Sequence, residues 1–239
     1  MTESFRDTLR SLGTAQKGAA RSAPAYSRFV NRRLGRVFAA LALRAGLTPN
    51  QVTGLSAVAT FAGIVLVATV PPGWWLAVLV CVLLVVGYAL DSADGQVARA
   101  TKTGSPAGEW LDHMVDATKI STMPLAVAIG LYRFTDLPRA WLLVPLANAA
   151  AGAVFFFGMI LTEQIRRTHG VTSRAEAGAA GNLRSLLVLP TDYGVLCLAF
   201  VLWGAPAAFV GAYLVITVAT AGALALAART WFRDVGSLE

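Results

Sequence analysis

The chain has 239 residues, 56% of them hydrophobic and only 14% charged, with a mean hydropathy of +0.62. A soluble domain carries about 25% charged residues, so an ordinary soluble protein is excluded, and so is a basic nucleic-acid module, because the net charge of +7 sits on a body that is mostly hydrocarbon. Cys81 and Cys197 stand alone in apolar runs, which leaves no disulfide scaffold or zinc site. The composition is that of an integral membrane protein.

Residues 1–25 carry no apolar core and no cleavage pattern, so no signal peptide is expected there. In 26–46, Tyr26, Phe29, Val30, Leu34, Val37, Phe38 and Leu41 share one side of a helical wheel, with Arg28, Arg32 and Arg36 opposite. This predicts an amphipathic helix lying on the cytoplasmic leaflet.

Six stretches then approach the roughly 20 apolar residues that a helix needs to cross a bilayer. They are about 51–70, 75–99, 107–132, 139–162, 184–203 and 206–228, apolar all round and separated by breakers at Pro71–Gly73, Gly104–Pro106 and Gly204–Pro206. The predicted class is all-α, a polytopic membrane protein with six spans. Residues 1–47 form an N-terminal segment, 48–230 a six-helix catalytic domain and 231–239 a tail. Nine of the twenty Lys and Arg precede the first span, while Arg133 and Arg139 alone fall in the odd-numbered loops. The positive-inside bias then puts both termini in the cytoplasm, in a bacterial-type plasma membrane.

Four carboxylates, Asp91, Asp94, Asp112 and Asp116, lie within the second and third spans or at their edges. Burying four acids in a bilayer costs on the order of 10 kcal/mol, so something must neutralise them. Asp91 and Asp94 are i,i+3 and Asp112 and Asp116 are i,i+4, which puts each pair on one helix face. A tight turn at Gly104–Pro106 makes the two helices antiparallel neighbours. An all-oxygen cluster suits Mg²⁺ or Mn²⁺, and two such ions balance four negative charges. Two-metal oxygen sites recur in displacement at phosphorus. Gly95, Ala98 and Gly108 clear bulk from the same faces, and Arg99 is one turn beyond Gly95, placed to neutralise a phosphate. Gly104 and Gly108 also form a GxxxG pair, the ordinary signature of helix packing.

The run Asp91-Ser-Ala-Asp94-Gly95-Gln-Val-Ala98-Arg99, eight residues, then Gly108-Glu-Trp-Leu-Asp112-His-Met-Val-Asp116 resembles the signature of the CDP-alcohol phosphotransferase family at every fixed position. The resemblance implies transfer of a phosphatidyl group from a CDP-linked lipid, commonly CDP-diacylglycerol, to an acceptor alcohol with release of CMP. It implies Asp91, Asp94, Asp112 and Asp116 as metal ligands and Asp116 as catalytic base. Asn50, Thr53, Asp94, Gly95, Ala98, Arg99 and Gly108 become nucleotide-binding positions, the first two because Pro49-Asn50-Gln51-Val52-Thr53 is similar to a stretch entering the family's first span. Many members form homodimers, and the partners implied are a lipid-linked donor, a polar alcohol and membrane lipids, with no nucleic acid.

For the acceptor, Lys119, Arg166 and Arg184 are candidates, with Arg167 and Arg174 nearby; glycerol phosphate, inositol phosphate and a free polar alcohol all stay open. The Ser27–Arg32 and Leu47–Asn50 runs are similar to inositol-phosphate-using branches. Lys119 is equally suited to pairing with Asp116. Glu109 reads as a helix-dipole partner or a secondary acid, His113 and His169 as bystanders, Asp192 as a polar turn, and the six tryptophans mostly as span-end anchors. The competing class is a divalent-cation transporter lined by the same acids. Against it, the acids gather in one helix pair and no second cluster follows in spans four to six.

Overall fold

The computed structural model describes residues 5–14, 24–171 and 191–238, and among these every regular element is helical. In chain order they are α1 (Phe5–Thr14), a π turn (Ser27–Asn31), α2 (Arg32–Arg44), α3 (Pro49–Thr69), α4 (Trp74–Thr101) and α5 (Pro106–Phe134). A 3₁₀ turn (Arg139–Leu142) leads into α6 (Leu143–Thr168). Then come α7 (Tyr193–Ala199), a 3₁₀ turn (Phe200–Gly204) and α8 (Pro206–Gly236). Five helices, α3 to α6 and α8, are long and apolar enough to cross a membrane. The fifth predicted stretch, 184–203, begins outside the described residues; its described part falls in the shorter apolar helix Tyr193–Gly204.

Local chemistry fixes the helix starts that matter for the site. Thr48 Oγ1 accepts from Gln51 N at 3.3 Å while Gln51 Oε1 accepts from Thr48 N at 2.8 Å, a reciprocal capping box with Pro49 in the first turn. Ser105 Oγ accepts from Gly108 N at 3.1 Å, with Pro106 again opening the helix and Glu109 in its first turn. Between them α4 ends at Thr101, and Lys102 takes a left-handed conformation with φ 56°. That short reversal sets α4 and α5 side by side.

Close approach of α3 and α4 rests on a missing side chain. A Cβ on Gly87 would fall 2.2 Å from Thr60 Oγ1, and the Gly87 carbonyl accepts from Ser56 Oγ at 2.8 Å. Two turns along each helix in opposite directions lie Thr53 and Asp94, so this contact sets the register at the site. The membrane-depth core is aromatic: Phe200, Trp203, Phe209 and Tyr213 are fully buried, and Trp203 stands edge-on to Phe209 at 4.9 Å between ring centroids. A Cβ on Gly130 would meet the Val67 carbonyl at 2.4 Å and Trp203 at 2.9 Å, so only glycine fits there.

Within the stretch 26–46, residues 27–44 are helical as the π turn and α2, whose faces divide by size. Gly35, Ala39, Ala40 and Ala42 are buried. A Cβ on Gly35 would come within 2.7 Å of Ser92 Oγ on α4, which shows how closely the small face is applied. Phe29, Val30, Leu34, Val37 and Leu41 are exposed on the other side. Ahead of it, α1 packs Leu12 into the same small core as Ala39, Val52 and Val97.

Asp192 ties the N-terminal segment to the last helices. It is 2% exposed, and its carboxylate accepts from Gly194 N at 2.9 Å, Ser27 N at 2.8 Å and Ser27 Oγ at 2.9 Å. Ser27 Oγ also bonds the Tyr88 hydroxyl. Removing the acceptor leaves buried donors unpaired, so Asp192→Ala should lose roughly 2–4 kcal/mol. A lowered unfolding midpoint in detergent checks this; an unchanged midpoint would show that the tie carries no stability.

Candidate active site

A cavity of about 360 Å³ opens where the starts of α3 and α5 meet the end of α4. Asn50 and Thr53 line it from α3, Asp94, Gly95, Ala98 and Arg99 from α4, and Gly108, Glu109 and Asp112 from α5. Every residue expected to bind the nucleotide therefore borders one space. The glycines serve that space directly: a Cβ on Gly108 would lie 3.0 Å from Asn50 Oδ1, and one on Gly95 would lie 3.2 Å from an Arg99 guanidinium nitrogen. Gly104 has nothing within 4 Å of its Cβ position and lies in the turn before α5, so the GxxxG packing pattern does not operate there.

Asp94 is 6% exposed. Thr53 Oγ1 donates to its Oδ2 at 2.6 Å, and Gly95 N donates to Oδ1 at 2.5 Å. These bonds fix the Asp94 carboxylate at the cavity lining, which Asp112 shares. Asp116 in turn interacts with Asp91 and Asp112. Asp94 and Asp112 border the cavity, and Asp91 and Asp116 share Lys119 as a partner across α4 and α5. Hard oxygen donors in mutual repulsion suit a divalent cation, and donor atoms of Asp112, His113 and Asp116 lie within 4.8 Å of one another. By the chemistry of the donor set, the residues fit a metal.

His113 sits nearer this cluster than its position beside Asp112 implied, because it is one helical turn from Asp116. Its Nε2 lies 3.8 Å from Glu109 Oε1 and its ring is edge-on to Phe156. The i,i+3 relation of His113 to Asp116 was the signal available in the sequence.

The expected acceptor residues are spread out. Lys119 Nζ lies 2.8 Å from Asp91 Oδ1 and 2.5 Å from Asp116 Oδ1. Arg166 is paired with Asp234 of α8 and does not border the cavity. Arg167 bridges Glu109 at 2.5 Å and Glu163 at 3.2 Å. Arg174 and Arg184 lie outside the described residues. On α2, burial and then the nearby Arg99 cation pull the Arg32 guanidinium below its ordinary pKa.

Comparison with known proteins agrees with this geometry. A family model described as CDP-alcohol phosphatidyltransferase matches residues 46–229. Archaetidylinositol phosphate synthase of Pyrococcus horikoshii is 33% identical over 98 residues, which cover 41% of this chain and 47% of that protein. The match spans about half the length of that relative.

Proposed function

This chain belongs to the CDP-alcohol phosphatidyltransferase family, and we propose that it transfers a phosphatidyl or related phosphoalcohol group from a CDP-linked lipid, CDP-diacylglycerol foremost, to an acceptor alcohol with release of CMP. The observation that carries this reading is the single cavity bordered by Asn50, Thr53, Gly95, Ala98, Arg99 and Gly108, with Asp94 and Asp112 at its edge. The nucleotide would lie against the glycine-lined backbone, its pyrophosphate facing Arg99. Asp91, Asp94 and Asp112, with Asp116 at the far edge, would hold Mg²⁺ or Mn²⁺, two ions when fully loaded. Such ions, when bound, screen the pyrophosphate and stabilise the departing CMP.

The residues themselves supply orientation and proton transfer. Thr53 and Gly95 N–H hold Asp94 in one rotamer, which preorganises the ligand set. The acceptor oxygen attacks the phosphorus that carries the lipid, a new P–O bond forms, and the P–O bond to CMP breaks. Asp116 takes the hydroxyl proton as attack proceeds, since a carboxylate is too weak a base to remove it beforehand. An acceptor phosphate would reach Arg166 by exchanging with Asp234, and Arg184 is proposed as its second cation. The name of the Pyrococcus relative puts inositol phosphate first among acceptors.

The family assignment favours transfer over cation transport. Six spans, cytoplasmic termini and a cytoplasmic active site complete the proposal, with residues 1–47 as the segment preceding a catalytic domain at 48–230 and a tail at 231–239. The exposed Phe29, Val30, Leu34, Val37 and Leu41 then enter the leaflet beside the site.

Purified protein incubated with CDP-diacylglycerol, Mg²⁺ or Mn²⁺ and a panel containing inositol phosphate, glycerol phosphate and free alcohols tests this. CMP should form only with divalent metal and one acceptor. Ion flux into liposomes with no CMP would reject the transferase reading in favour of transport.

A further inference from the structure

Lys119 is 4% exposed, and an ammonium that deep in a membrane-length helix persists only with anionic partners. Its two partners come from different helices, Asp91 on α4 and Asp116 one turn back on α5. The Tyr193 ring of α7 closes a third side, its centroid 5.2 Å from Nζ. Lys119 does not border the nucleotide cavity, and both of its ion pairs are spent on the carboxylate cluster. A role in holding the acceptor does not follow from this placement.

The cluster is divided in consequence. Asp94 and Asp112 border the cavity, with Asp94 held, among the described residues, by neutral donors. The Asp91–Asp116 edge is bridged by a cation that belongs to the chain. We propose that Lys119 is a resident counter-cation of this cluster, a positioning residue that orients Asp91 and Asp116 before any metal arrives and opposes uptake of a divalent ion on their edge. The inference rests on reading the four aspartates as the metal-binding cluster, and it holds whatever group the enzyme transfers.

Titration of the full-length protein in detergent with Mn²⁺ alone, followed by the electron paramagnetic resonance signal of free Mn²⁺, tests it without substrate. Lys119→Met removes the charge, Lys119→Gln removes it but keeps a hydrogen-bond donor, and Lys119→Arg keeps it. Both neutral variants, freed of cation–cation repulsion, should bind Mn²⁺ about 10-fold more tightly or fill the second site at lower Mn²⁺, while Lys119→Arg stays near the parent. Thermal unfolding gives a second readout: the neutral variants should unfold earlier without Mn²⁺ and recover most of the loss with it. Should Lys119→Met fail to fold, Lys119→Gln carries the comparison. Unchanged or weaker Mn²⁺ binding in a folded neutral variant overturns the proposal, and so does a raised acceptor KM with unaltered Mn²⁺ uptake. Tightened Mn²⁺ binding in a protein that releases no CMP leaves this inference standing and removes only the transferase reading.

Discussion

Asp94→Asn is expected to abolish CMP release and donor binding together, whereas Asp116→Asn is expected to abolish release and keep most of the donor affinity. Asp94 borders the cavity, is nearly inaccessible to solvent, and is held by Thr53 Oγ1 and Gly95 N. An amide there loses the negative charge, and one of the two donors must face its NH₂ in place of an oxygen. Turnover should fall about 10³-fold, with donor affinity falling alongside because metal and pyrophosphate share this edge. Asp116 lies on the far edge, tied to Lys119 at 2.5 Å and outside the cavity lining. Losing a general base costs roughly 10²–10⁴-fold in kcat while leaving nucleotide contacts in place. Donor titrations alongside single-turnover assays measure both effects. Equal loss of donor binding in the two variants would reject the division of labour between the two carboxylates.

The four aspartates can be read from sequence because an acid in an apolar helix is costly and i,i+3 and i,i+4 spacing aims each pair one way. Lys119 can be read only halfway: its tie to Asp116 is local, but Asp91 is 28 residues distant, and that contact depends on how α4 and α5 are rotated against each other. Asp192 has a polar-turn context, while its partner Ser27 is 165 residues away and leaves no local pattern. For residues 26–46 the helical wheel gives two faces without saying which meets the protein. Packing decides, because Ser92 leaves room on α4 only for a face as small as Gly35 and its alanine neighbours. Trp203 shows the same limit in reverse. Its place near a span end suits an interface anchor, yet the absence of a side chain at Gly130 opens a slot that takes the indole into the core.

Gly108→Leu is expected to cut kcat/KM for the lipid donor about 100-fold while leaving the unfolding midpoint near that of the parent. The first added carbon would already stand 3.0 Å from Asn50 Oδ1 and 3.4 Å from Ser105 Oγ. The three carbons beyond it would project into a cavity of about 360 Å³ whose far wall is Gly95, Ala98 and Arg99. A donor must then abandon the backbone surface or shift its pyrophosphate away from Arg99. Were Gly108 instead a packing glycine, its substitution would behave like Gly130→Ala, whose Cβ would collide with the Val67 carbonyl at 2.4 Å and destabilise the bundle. Gly104→Ala supplies the stability control: its Cβ would meet open space and should leave the unfolding midpoint unchanged, although Gly104 also borders the cavity. Donor titration and thermal unfolding on the three variants separate the cases. A Gly108→Leu protein that unfolds early and binds donor normally would assign this glycine to helix packing and take the nucleotide out of the cavity.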